Sequence, residues 1–214
     1  MAEAETTTNP LRLLALAFKI KDELTQTVAL APDNLEARLD LVRFYVRTPS
    51  VFGGDANLAR SQAREIAIRD AGLGHYANGY IFYREQIYGP ARRELLEAVR
   101  LASTAERKAL AMRWLGWLSQ ETQQYATAFA MFSAVPDPYE VGRTAVFCDC
   151  ELERGEAALR ESLRAKSSAQ ARYYLGLILE KRGDLAGARR EVEAAYRLDP
   201  KIAGIKDARK RLRK

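Results

Sequence analysis

Residues 169–202 read AQARYYLGLILEKRGDLAGARREVEAAYRLDPKI. Two stretches, 170–181 and 185–198, carry apolar residues at helical spacing, with Gly183-Asp184 between them and Asp199-Pro200 as a stop. Ala, Leu, Arg and Glu dominate both, and these residues lose little freedom in a helix. Gly183 suits a position just past a helix end, where φ turns positive. Asp184 can cap the helix that follows, since its carboxylate accepts from N–H groups left free in the first turn. Leu175 and Gly176 on the first stretch face Ala188, Val192 and Ala195 on the second. The small residues let two backbones approach, and the larger ones fill the space on either side.

Helical periodicity extends outward from this unit over nearly the whole chain. Breaks fall at Asn9-Pro10, Pro32-Asp33, Thr48-Pro49 to Gly53-Gly54, Ala71-Gly72, Pro136-Asp137-Pro138 and Gly155. Short helices on short turns pack antiparallel with their neighbours, the geometry of helical repeats. The spacing Leu175-Gly176, Gly183-Asp184, Ala188, Ala195, Leu198-Asp199-Pro200 resembles the tetratricopeptide repeat. The aromatic usual three residues before the Leu-Gly pair is Arg172 here, with Tyr173 or Tyr174 as substitutes. Leu115-Gly116 with Ala128, Phe132 and Val135 repeats the template, as does Gly79 with Ala91, Leu95 and Ala98.

The resemblance implies an all-α fold, a right-handed α-solenoid of antiparallel helix pairs with about eleven or twelve helices. Residues 1–9 are expected to form a disordered N-terminus, and 10–200 the solenoid. Within it a leading helix, 10–31, precedes pairs near 35–70, 72–105, 109–136, 139–166 and 169–200. Residues 201–214 are expected to form a basic capping helix and tail that closes the last hydrophobic face. The pair at 139–166 is short and degenerate around Gly155. The pair at 35–70 has a long connection, Thr48–Asp55, whose Phe52 either tucks over the first hairpin or projects as a contact.

The net charge of +6, from 34 basic and 28 acidic residues, is not spread over the chain. Residues 201–214 hold seven bases against Asp207, so this segment alone carries +6 and the other 200 residues sum to zero. Lys206, Arg209, Lys210, Arg211, Arg213 and Lys214 are therefore a candidate patch for an anionic partner, a membrane surface or nucleic acid. Without an aromatic residue to stack on bases, nucleic acid is the weaker of these readings. The bland reading is a solvated cap whose cations suit a helix C-terminus.

Catalysis has no candidate cluster. His75 is the one histidine, so a triad or a two-histidine metal site has to use it. Gly72-Leu-Gly-His-Tyr-Ala77 matches a dinucleotide fingerprint in form, but a helix precedes it where a strand is required, and it reads as a helix-to-helix turn. No cofactor and no metal are expected. Cys148 and Cys150 stand two apart in a predicted helix, where side chains point about 200° apart, so they are expected not to bridge each other. Glu151/Glu153 and Glu191/Glu193 read as solvated ion-pair partners of nearby arginines. No apolar stretch is long enough for a transmembrane helix. The expected compartment is one that does not require disulfides, the cytoplasm; an exported location stays open through the Pro49-to-Gly54 insertion, which is similar to one found in exported bacterial repeat proteins.

The family resemblance also implies where a partner sits. The first helix of each tetratricopeptide pair lines a groove, and the matching positions here are Tyr76, Tyr80, Tyr83, Arg113, Trp117, Gln120, Tyr173 and Leu177, with Arg43 and Arg84 nearby. Tyr, Trp and Arg anchor interfaces because they bury large areas at low entropic cost. The competing reading is that some of these rings pack between helices. Positions that would carry a Lys/Asn carboxylate clamp hold Tyr and Leu, which disfavours chaperone-tail binding. The sequence thus points to a non-catalytic scaffold for a peptide or helix of another protein, with self-association through the end repeats as a further reading.

Overall fold

The first turns of the helices show how local chemistry sets their boundaries. In a computed structural model, which describes residues 10–213, the Asn34 side chain accepts from Ala37 N–H at 3.0 Å and opens a helix at Leu35. Asp55, Asp70, Asp137, Ser168 and Asp184 cap later helices in the same way. Each such cap contributes about 1 kcal/mol. The result is α1 (Pro10–Leu30), α2 (Leu35–Arg47), a 3-10 turn (Ser50–Phe52), α3 (Ala56–Arg69), α4 (Ala71–Arg84), α5 (Tyr88–Leu101) and α6 (Ala105–Glu121). There follow α7 (Tyr125–Ser133), α8 (Pro138–Cys148), α9 (Leu152–Ala165), α10 (Ala169–Lys181), α11 (Leu185–Leu198) and α12 (Ile205–Leu212). There is no strand among the described residues, and the fold is the all-α helical-repeat class read from the sequence. The expected disordered N-terminus, 1–9, and Lys214 lie outside the described residues.

One contact recurs in the hairpins. A Cβ added to Gly79 on α4 would lie 2.7 Å from Leu95 on α5. The same construction puts Gly116 on α6 2.7 Å from Phe132 on α7, and Gly176 on α10 2.6 Å from Val192 on α11. Gly142 on α8 meets Leu159 on α9 in the same manner. In these four hairpins a glycine on the first helix thus seats one large side chain of the second, and Leu95, Phe132, Leu159 and Val192 are all buried. Burying such a side chain is worth about 2 kcal/mol.

The chain divides into two compact units, the division falling within α6 between Trp114 and Leu115. In the first, α2, α3, α4 and α5 pack in succession around Leu39, Val42, Ile66, Leu73, Ile81 and Leu95. The Thr48–Asp55 connection folds back: Gly53 lies against Phe18 and Lys21 of α1 and Phe44 of α2, while Val51 is exposed. Gly72 and Gly74 sit inside α4, where added Cβ atoms would strike the α5 end and Ala67 of α3. The fingerprint-like run therefore serves helix packing, and the turn itself is at Asp70. His75 Nδ1 lies 2.8 Å from Glu94.

In the second unit α8/α9 and α10/α11 form the main hairpins, and α12 closes α11 with Ile205, Ala208 and Leu212 buried. Here one expectation fails. Cys148 and Cys150 form a disulfide, with Cα atoms 5.1 Å apart. The pair does not share a helix: α8 ends at Cys148, and Asp149, at φ 52°, turns the chain back. Closing so short a loop is worth about 1.6 kcal/mol on the chain-entropy relation. Of two residues in left-handed conformation, Asp149 is of a type that visits this region, while Glu151 costs about 1 kcal/mol. The net gain is a small part of a domain's stability, so the disulfide does little to hold the fold.

Candidate functional site

In the first unit the expected residues converge, though not all of them face solvent. Tyr76 and Tyr80 on α4 are buried, at 2% and 3% exposure. The Arg43 guanidinium faces the Tyr76 hydroxyl without closing a well-aligned hydrogen bond, and it donates to Asp40 at 2.8 Å. Trp114, which was not singled out in the sequence, takes Tyr80 edge-on at 4.8 Å and Tyr83 edge-on at 5.2 Å. Tyr83 also tilts against Tyr88 at 6.2 Å. Burial pushes the Tyr80 hydroxyl up, and Arg47, Arg84 and Arg43 draw it part of the way back. What this unit presents is a half-buried Tyr83/Trp114 pair beside Arg43, exposed Arg47 and exposed Arg84, over a tyrosine core. Arg113, next to Trp114 on α6, is half-buried.

The second unit brings together three successive first helices. Gln120 at the end of α6 donates to Thr144 of α8 at 2.6 Å and to Glu140 at 3.3 Å, and accepts from Arg143. The Arg143 guanidinium lies 3.0 Å from Glu140. Glu140 and Thr144 are buried, so this is an internal polar network with one side open at Arg143 and Gln120. Beside it, Tyr139 of α8 meets Tyr174 of α10 edge-on at 6.2 Å, and Tyr174 meets Phe147 at 6.0 Å. Phe147 stacks on Tyr125 at 5.7 Å and is 48% exposed. Burial and the neighbouring Tyr174 push the Tyr139 hydroxyl up to about 12. Such a phenol keeps its proton at any physiological pH.

Trp117 is half-buried and tilts against Phe132 at 6.4 Å; Leu177 is half-buried on α10. Tyr173, expected in the groove, is instead buried, with its hydroxyl close to Gly204 just ahead of α12. Its neighbour Tyr174 is half-buried.

No family model and no curated protein sequence matches the chain. Several solved structures do match in fold. YrrB, described as a TPR protein with an unusual peptide-binding site, aligns with TM-score 0.65 at 15% identity over 87% of this chain and 97% of its own. The Cut9–Hcn1 hetero-tetramer of the APC/C gives TM-score 0.67 at 13% identity, over 92% of this chain and 39% of that one. BtubC from P. vanneervenii gives 0.62 at 15%, over 92% and 94%.

The chain has the tetratricopeptide-repeat fold.

Within the tetratricopeptide hairpins the acid pairs are engaged as read: Glu191 by Arg172, Glu193 by Arg209 and Arg213, Glu151 by Arg154 and Glu153 by Arg182. Arginines of the basic tail are engaged within the fold. Arg211 grips both oxygens of Glu180 at 2.6 and 2.7 Å, and Arg209 lies over Tyr196 at 4.2 Å while donating to Glu193 at 2.8 Å. Lys206 and Lys210 stay exposed. Three arginines of the tail thus fasten the capping helix to α10 and α11 of the tetratricopeptide array. No helix among the described residues is long and apolar enough to cross a membrane.

Proposed function

We propose that this tetratricopeptide protein is a non-catalytic scaffold that takes a peptide or helix of another protein on the first-helix face of its second unit. The observation that carries the reading is the Gln120–Arg143–Thr144–Glu140 network flanked by Tyr139, Tyr174 and Phe147. The Arg143 guanidinium, held on one side by Gln120 and Glu140, offers its remaining N–H donors, and the Gln120 carbonyl oxygen keeps a lone pair, a set suited to a peptide backbone. The half-buried rings beside them offer apolar anchoring. In YrrB, a protein of like fold, a peptide-binding site is named, which is consistent with such a use of this architecture. The tail reading is weaker, because Arg209, Arg211 and Arg213 are spent on Glu180 and Glu193.

Selection of a displayed random-peptide library against wild type and against the Arg143→Ala/Tyr174→Ala protein tests this. Wild type is expected to enrich a consensus peptide, and the variant to bind it at least about tenfold more weakly, or 1.4 kcal/mol, while circular dichroism and a cooperative melt show that it is still folded. No enrichment, or equal binding by both proteins, overturns the reading.

A further inference from the structure

Four hairpins have a three-residue connection between their helices, and one of them is built differently. Gln86, Gln123 and Gly183 each occupy the middle of such a connection with positive φ. Between α8 and α9 the middle residue is Cys150, and the positive φ values fall on both sides of it, 52° at Asp149 and 50° at Glu151. Gly142 stands seventeen positions before Leu159, where the other three glycines stand sixteen before their large partners, so α8 carries one extra residue ahead of this turn. The extra residue is at the α8 end, where Cys148 is bonded to Cys150. Glu151, which opens α9, makes no side-chain capping bond.

These features fit poorly with a structural staple. The bond spans a loop too short to restrict the unfolded chain much, it ends at Cys150, next to Glu151 in a left-handed conformation that such a residue adopts reluctantly, and both cysteines are partly exposed. Strained, accessible disulfides are the reducible ones. We propose that Cys148–Cys150 is a thiol–disulfide exchange site whose co-reactant is a thiol reductant, either one dithiol or two monothiols.

Its two sulfurs are not equivalent. Cys148 is the last residue of α8, with Sγ 3.7 Å from the Ala145 carbonyl oxygen, at a helix end that disfavours negative charge. Cys150 lies two residues before Leu152, where the N–H groups of α9 favour it. Nearby acids are engaged: Asp149 by Lys181 of α10 at 2.9 Å and Glu151 by Arg154 at 3.7 Å. A reductant thiolate attacks Cys148 Sγ, the S–S bond breaks, and its electron pair leaves on Cys150 as thiolate. A second reductant thiolate then attacks the reductant sulfur of the mixed disulfide and releases Cys148. The reductant becomes a disulfide, and two electrons and two protons pass to the protein.

The full chain, equilibrated in glutathione buffers from fully oxidised to fully reduced, is acid-quenched, alkylated and weighed, with folding followed in parallel by circular dichroism and melting. The expected result is a reversible two-electron transition with the helical signal retained and the melting temperature little changed. A bond that survives ~10 mM reduced glutathione in the fold, or opens only on unfolding, overturns the proposal, and so does a pair that never closes in oxidised glutathione. The single variants test the order of attack. Cys150 in the Cys148→Ser protein is expected to react with iodoacetamide at neutral pH several-fold faster than Cys148 in the Cys150→Ser protein. Equal or reversed rates overturn the assigned order.

Discussion

Gly176 presses its backbone so close to Val192 that a methyl group at that place would stand 2.6 Å from Cγ2. The contact joins α10 to α11, and Val192 is buried among residues that cannot all move aside. Gly176→Ala is therefore expected to destabilise the protein by about 2 kcal/mol through overpacking, although alanine favours a helix. Gly89 on α5 is the control: an added methyl meets nothing within 4 Å, and Gly89→Ala is expected to gain up to about 1 kcal/mol. Denaturant melts of the two proteins check both signs, and a loss at both positions would mean that packing is not the cause.

Tyr80 is a packing residue, whatever a partner does nearby. Its ring is 3% exposed and takes the edge contact with Trp114. Tyr80→Ala is expected to cost about 3 kcal/mol or more, and Tyr80→Phe, which keeps the ring, less than about 1.5 kcal/mol. Thermal melts with near-ultraviolet circular dichroism, which reports the Trp114 environment, separate the two. An alanine variant as stable as wild type would place Tyr80 on an open face after all.

Asp70 gives stability that depends on pH. It caps α4 through Leu73 N–H at 2.7 Å and accepts from Ser103 at 2.8 Å and from the Arg107 guanidinium. Burial works against its ionised form, but these three donors outweigh burial and hold its pKa below the ordinary 3.8. A depressed carboxylate stabilises the fold above its unfolded value, and the contribution fades as pH falls through the folded value. Asp70→Asn keeps a capping oxygen but not the charge. Wild type is expected to exceed it by about 1.5 kcal/mol at neutral pH, with the gap closing once pH drops below 3.8. A gap independent of pH in denaturant titrations would assign the effect to something other than the charge.

What could be read from the sequence was what neighbouring residues decide. Gly183 and Asp184 mark their turn by type, Asp55 marks a cap, and Gly79, Gly116 and Gly176 mark close approach at a fixed distance from a large partner. Gly142 escaped notice because the extra residue in α8 shifts its spacing. The disulfide escaped because the end of α8 rests on the left-handed φ of Asp149, and no glycine announces it. In the candidate site, the first-helix rule named Gln120 but not Arg143 or Thr144, which meet it from more than twenty positions away. It named Tyr173, which is buried, and passed over the half-buried Tyr174 and Trp114. One residue is about 100° of rotation on a helix, and how neighbouring helices are rotated, which composition does not record, decides which ring turns inward.

The glycine-to-large contact works as a ruler kept inside four of the hairpins. It asks for one residue without a side chain, one bulky residue sixteen or seventeen positions later, and a chain reversal between them. Nothing in it specifies whether the bulky residue is Leu, Phe or Val, and all three are used. A lineage built on such a ruler can exchange most of its letters while the helices keep their places, and kinship among its members is then carried by spacing more than by residue identity.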